Sequence, residues 1–416
     1  MQTLRLYAGR QAPPPMERLS LFARMRRILP GVVAGAADLD PAAVLTATVA
    51  GASFGYSVGW VVLLCIPVLF SVFAVSSRIG NETKKGFVEL VRENYGRKIA
   101  FSIALLVVAV NLTMIIGDIV AVSDSISLLT ATPRAFFLAP IGFTVWYVLI
   151  LGNYEKATKV LGVLTLLLIA YVAAAWHVTS SFGELARGIF LPKIQMNTAY
   201  MMAVVAVFGS LLTPYVIVWQ TSSKRGLPAG LAQAHVSESH AGTFVACLIS
   251  LSAIVAASQL HVPDPSSMSM RTTAQALGSF GNLGPVLFSL GILGSGLIAL
   301  PVLVASLCFS VAEAFNWRSG LAIEPWGAQM FYVTISFTVL FATAVDFLGI
   351  HAVTVLYWSQ VLAGVVLIPI LAYILLLSNN PKIMHTTNST PQNVCLGAAT
   401  LAMLFATLLF FWQKFK

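Results

Sequence analysis

Asp40-Pro41 and Thr213-Pro214 are the places in this chain where residue type and surroundings point to chemistry. Each lies deep in an apolar run, Asp40 about ten residues in and Thr213 about sixteen. Proline has no amide hydrogen and its ring collides with the preceding turn, so a helix passing through either position is interrupted there. An interruption leaves carbonyl oxygens unpaired, and at the first break they would lie beside the Asp40 carboxylate. Carbonyls next to one anion make a cation site. Taken alone, either proline is a simple kink, common in membrane helices. Together, five spans apart and with an acid at one of them, they point to a substrate site at the interface of an inverted repeat.

Other ionisable residues in apolar runs are few: Asp38, Asp118 and Asp124, Glu313 at the end of the eighth run, and Asp346 late in the ninth. Intramembrane ionisable groups are costly and are functional candidates by default. Asp118 and Asp124 are candidates for carrying protons or for gating, and Asp124 reads equally well as a residue near an outer vestibule. Glu313 is read as facing the cytoplasmic end of its helix. His177, His261 and His351 fall near helix ends, whereas His235 and His240 fall in the loop between the sixth and seventh runs and are read as solvated. The four cysteines (Cys65, Cys247, Cys308 and Cys395) are far apart in apolar runs and give no spacing for a disulfide or thiolate site. Gly291, Gly294 and Gly296 are read as permitting close helix packing. No intramembrane His-Glu-x-x-His, Ser-His or paired-Asp arrangement occurs at helical spacing, so an enzyme is not expected.

The elements that must position these residues are membrane helices. The 416 residues are 58% hydrophobic and 9% charged, with a mean hydropathy of +0.87. Soluble domains carry about 25% charged residues, so a chain this poor in charge is solvated mostly by lipid. Runs such as Val160–Ala175 are apolar all round, unlike the alternating segments of a spanning β-barrel. A span needs about 20 apolar residues. Eleven helices are predicted, near 31–58, 60–79, 99–130, 135–152, 157–179, 197–222, 241–261, 283–315, 329–349, 352–378 and 393–413. With a cytoplasmic N-terminus, 18 of the 24 Lys and Arg fall in inside segments. This positive-inside bias accounts for the net charge of +9 without a nucleic-acid partner. Residues 1–30 read as a cytoplasmic arm rather than a cleaved signal.

The stretch GVVAGAADLDPAAVLTATVAGASFGY resembles the first helix of the Nramp divalent-metal transporters, whose break carries Asp-Pro-Gly-Asn. The resemblance continues in SRIGNETKKGFVELVRENYG, NLTMIIGDIVAVSD, GSLLTPYVIVWQTS and LYWSQVLAGVVLIPILAYILLLSNNPKIM, and spans residues 30 to 410. It is strongest to the bacterial Nramp-related branch, which has a Thr/Ser-Pro-Tyr break in helix six and includes magnesium transporters. The resemblance implies an all-α integral membrane protein of LeuT-like fold. Its first five-helix repeat would occupy 31–179 and its inverted repeat 197–378, with an eleventh helix over 393–413. A multi-pass protein of the bacterial inner membrane is implied, with the C-terminus outside. It has no cofactor; its partners are the divalent metal it carries and the lipid bilayer.

By the same resemblance the ligand positions are Asp40, Ala43 in place of the family asparagine, the Ser210 carbonyl, Thr213 in place of methionine, and Gln360 in helix ten, with Tyr215 beside them. Loss of a thioether and an amide leaves hard oxygen donors, which suit Mg²⁺ or a broadly selective Mn²⁺ site. The same two changes enlarge the site, so an organic solute moved with a proton or Na⁺ is the alternative, and a non-transporting sensor is a third reading. The family's proton route is mostly missing. Its two helix-six histidines align with Tyr215 and Gln220, its helix-three acid pair is reduced to Asp118 with Ala121 in the second place, and the run 329–349 has no arginine.

Overall fold

The structure, a computed structural model, describes residues 39–152, 161–223, 225, 229–262, 268–321 and 323–414, with backbone alone for 229–239 and 414. The arm 1–30 and the opening 31–38 of the first predicted helix lie outside the described residues. All regular elements among the described residues are helical. They are α1 (Pro41–Phe54), α2 (Gly59–Thr83), α3 (Phe87–Tyr95), α4 (Arg97–Thr130), α5 (Ala135–Ile150), α6 (Leu161–Val178), α7 (Phe182–Phe190), α8 (Thr198–Leu211), α9 (Pro214–Ser223) and α10 (Ala229–Ala257). There follow α11 (Met270–Ala274), α12 (Gly284–Phe315), α13 (Gln329–Asp346), α14 (Ala352–Ser378) and α15 (Thr390–Lys414).

Nine helical runs among the described residues are long and apolar enough to cross a membrane, and Ala135–Ile150 is a shorter apolar helix. The first of the nine, Pro41–Thr83, contains two predicted spans joined by the tight turn Gly55–Val58, where Gly55 takes φ +60°. Each of the eleven predicted spans therefore meets a helix. The separation of the ninth and tenth also holds: α13 stops at Asp346, Gly349 turns the chain at φ +82°, and α14 starts at Ala352.

The sixth span is two helices, α8 and α9, parted at the expected Thr213-Pro214 interruption. Two features depart from the sequence reading. Helix α10 begins at Ala229 rather than 241, so His235 and His240 stand in a helix instead of a loop. His240 is half-buried with its ring 4.5 Å from that of Phe70, which corrects its reading as a solvated loop residue; the side chain of His235 lies outside the described set. The short connecting helices α3 and α7 were not predicted, because a nine-residue amphipathic element is too brief to stand out beside membrane-length runs.

The bundle is built around α4 and α12, whose mutual contact is the most extensive among the described residues. α14 packs on α4 and α8, and α10 on α1 and α2. Without a hydrophobic drive between lipid-bathed helices, close approach depends on small residues. Gly294 shows this: a Cβ there would stand 2.7 Å from Leu164 Cβ and 2.9 Å from the Thr165 amide nitrogen, tighter than real contacts allow. The end of α2, α3, the start of α4, and the ends of α9 and α12 share one end of the bundle, called here the basic end. Gly294→Val is expected to force α6 from α12 and cost about 1–3 kcal/mol of stability. Thermal denaturation in detergent should reveal this, with Gly278→Ala, which meets nothing within 4 Å, as the neutral control.

Candidate cation site at a helix start and a helix break

Asp40 is the N-cap of α1. Its backbone is extended (φ −72°, ψ 163°), and its Oδ1 accepts a hydrogen bond from the Ala43 amide at 2.7 Å. The helix thus starts at Pro41, in keeping with proline's preference for the first helical turn, where its missing N–H costs nothing. The carboxylate is 1% exposed, and Oδ2 has no hydrogen-bond partner among the described residues. The Tyr215 side chain is a hydrogen-bonding neighbour of the same carboxylate.

The helix start at Pro41 is matched by a break at Pro214. α8 runs to Leu211, Leu212 leaves helical geometry (φ −115°, ψ 71°), and α9 restarts at Pro214. Within a continuous helix the Ser210 carbonyl would pair with the amide four residues on, but that residue is Pro214, which has none. The Ser210 hydroxyl is turned back onto the Val207 carbonyl at 2.9 Å, so what this residue offers the break is its main-chain oxygen. Ser306 of α12 donates to the Tyr215 carbonyl at 2.9 Å and so fixes the first turn of α9.

A cavity of about 30 Å³ lies at the α8–α9 break beside the start of α1, lined by Ala43, Ser210, Thr213, Tyr215 and, from α10, Thr243, together with apolar side chains such as Leu39, Leu69 and Phe73. One water needs about 10–15 Å³ by this measure, so the space suits an ion with a water or two. Gln360 of α14 is fully buried, and its Oε1 is unpartnered among the described residues. Its backbone lies against Gly209, where a Cβ would collide with the Gln360 carbonyl; glycine one residue before Ser210 thus lets α14 meet the end of α8. Asp118 on α4 is also fully buried, with neither oxygen partnered among the described residues, and it is near enough to Asp40 for the two carboxylates to repel each other.

The sequence-derived candidates therefore divide. Ala43, Ser210, Thr213 and Tyr215 line one cavity; Asp40 neighbours two of them, Ala43 and Tyr215, while the Gln360 backbone lies against Gly209 and Asp118 neighbours Asp40. Asp124 does not join them. It pairs with Arg134 at 3.6 Å and lines a separate cavity of about 360 Å³ with His351, Met268 and Met270, towards the end of the bundle opposite the basic end. Sequence reasoning missed Thr243 and Ser306, since isolated hydroxyls in apolar helices carry no positional signal. It also missed Asn111, buried on the Asp118 face of α4 two turns away, with both amide atoms unpartnered among the described residues. Among the described residues no three His, Cys, Asp or Glu side chains cluster as a metal-holding group. Any cation here is held by one or two carboxylates and by neutral oxygens.

The family model described as natural resistance-associated macrophage protein-like matches residues 31–413. The chain belongs to the Nramp family. Among its relatives is a divalent metal cation transporter, MntH, of Yersinia pestis, 24% identical over 382 residues that make up 88% of this chain and 90% of that protein. The structure of a mutant manganese transporter from Eremococcus coleocola is similar with a TM-score of 0.73 at 15% identity, covering 96% of this chain and 88% of the other. MhsT, solved in complex with L-phenylalanine, gives 0.58 at 14% identity, covering 93% of this chain and 98% of the other. At such identities the structures establish the fold: this Nramp-family chain has the LeuT-like helical architecture that the sequence resemblance implied.

Asp40 caps a helix and also offers a free oxygen, and two substitutions separate these roles. Asp40→Asn keeps a good N-cap, whereas Asp40→Ala loses it at about 0.5–2 kcal/mol. Both are expected to abolish stabilisation of the purified protein by millimolar Mn²⁺ or Mg²⁺ in a thermal-shift assay, while only the alanine form melts earlier without metal. Metal stabilisation surviving in Asp40→Asn would reduce Asp40 to a cap.

Proposed function

We propose that this Nramp-family chain carries a divalent metal cation across the membrane by alternating access, with a hard-ion site that takes Mg²⁺ or Mn²⁺ at broad selectivity. The observation that carries the reading is the buried Asp40 oxygen, unpartnered among the described residues, at the start of α1, next to Ala43 and Tyr215 of a cavity at the α8–α9 break whose polar lining is neutral. A buried anion of this kind needs a positive partner, and an ion cargo provides one. The names of the relatives, transporters of divalent metal and manganese, point the same way. The donor set of carboxylate, carbonyl, hydroxyl and Gln360 amide lacks sulfur, which suits a hard cation keeping several waters.

The cavity of about 30 Å³ also weighs against an organic cargo, since small-molecule sites are typically about 300–1,000 Å³. In the transport cycle α1, α2, the α8–α9 pair and α10 swing as one bundle against the remaining helices, about a cation at the two breaks. Residues 31–179 and 197–378 form the inverted halves, and 393–413 is an added span. The basic end faces the cytoplasm, with the N-terminus inside and the C-terminus outside a bacterial inner membrane, because most of the described Lys and Arg gather at that end. Protons do not follow the histidine route of the family, since Tyr215 and Gln220 stand in its place. Asp118 is the acid next to the cargo, and Asp124 belongs to the outer vestibule.

The test is uptake into proteoliposomes of purified protein, comparing Mg²⁺, Mn²⁺ and Ca²⁺ with Asp40→Ala as control and internal pH read in parallel. Saturable Mg²⁺ or Mn²⁺ entry that is lost in the variant, without acidification, is expected; no divalent entry by folded protein would overturn the proposal. Thr213→Met returns a soft ligand to the break and is expected to shift the preference several-fold from Mg²⁺ towards Mn²⁺ in competition uptake. An unchanged ratio would remove Thr213 from the site.

A further inference from the structure

At the basic end a single buried carboxylate joins three elements. Glu313, in the last turn of α12, is 3% exposed. Its Oε2 accepts the amides of Val88 (3.0 Å) and Glu89 (3.3 Å) at the start of α3. Its Oε1 accepts the hydroxyl of Ser222 at the end of α9 (2.6 Å) and the guanidinium of Arg225 just beyond. α3 is fastened to α12 again by Arg92, which donates to the Glu313 carbonyl at 2.6 Å and to Asn316 Oδ1 at 2.8 Å. Arg225 also approaches Glu89 at 3.9 Å and lies over the Phe309 ring.

The division of labour between the two oxygens is informative. Capping α3 needs only Oε2, and Arg92 would hold α3 to α12 without help from α9. Oε1 is given wholly to α9, the lower half of the helix broken at the cation site. A buried carboxylate deprived of its partners is costly unless water replaces them. Withdrawal of α9 opens this end of the bundle and admits that water, so the bonds to Oε1 are exchangeable in a way that apolar packing is not. We propose that Glu313 is the latch of the basic-end gate, and that release of Ser222 and Arg225 from its Oε1 opens the path from the cation site to that side of the membrane. The latch rests on the alternating-access reading given above.

Val218, one turn before Ser222 on α9 and fully buried, reports on the gate. Val218→Cys is placed in a Cys395→Ser background and labelled with a hydrophilic maleimide in lipid nanodiscs, where both faces are accessible; the same background without the new cysteine corrects for reaction of the buried native thiols. Ser222→Ala/Arg225→Gln frees Oε1 but leaves both amides of α3 on Oε2, so this variant retains the cap even if Glu313→Gln does not fold. Labelling at least several-fold faster in the double variant, with the melting temperature little changed, is expected. Equal, measurable rates in parent and variant would overturn the latch and leave α9 movement intact. No labelling in either would overturn both the latch and the alternating-access reading on which it rests.

Discussion

Two missing amide hydrogens govern this protein. In the membrane interior every main-chain group must be satisfied locally, and irregular backbone survives only where it lines a cavity or is buried in protein. The start of α1 at Pro41 and the restart of the broken helix at Pro214 are such places, and both prolines are buried by the surrounding architecture. α4 and α12 form the wall behind, α14 closes the side through the Gly209 approach, and Ser306 holds the restarted helix by its Tyr215 carbonyl. The Asp40 carboxylate is tolerable because it stands at a helix N-terminus that donates to one of its oxygens and leaves the other available.

The fold was legible in the sequence to a large extent, because membrane helices announce themselves by length and composition. α14 occupies the predicted 352–378, and the stop at Asp346 followed a single Gly-containing break. Less legible were elements whose making is tertiary. α3 is held by the Glu313 carboxylate and by Thr221, partners more than a hundred residues away in sequence, and the early start of α10 places His240 on Phe70 where polar composition suggested a loop.

At the site the pattern is similar. Asp40, Thr213 and their prolines were readable because an acid and a paired break are rare in apolar runs. The resemblance to Nramp transporters supplied Gln360, which no local feature marks. Asp124 reads like Asp118 in sequence, yet six residues along α4 turn the side chain to another face and carry it about 9 Å towards the opposite end, where Arg134 takes it. Ser306 shows the limit of the method, since a hydroxyl in a membrane helix usually bonds its own preceding turn, and sequence alone does not reveal which one does otherwise.

The turned-back hydroxyl of Ser210 has a genetic corollary. Where a site is made from main-chain oxygen, replacing the side chain that carries it leaves the donor in place, so alanine scanning passes over Ser210 as though it were idle. The heritable control of that oxygen sits four residues downstream: any residue but proline at 214 restores an amide able to claim it. Variation in this transporter is therefore channelled. Changes at 43 and 213 alter the lining of the cavity while the break persists, and a change at 214 gives back the amide whose absence makes the break.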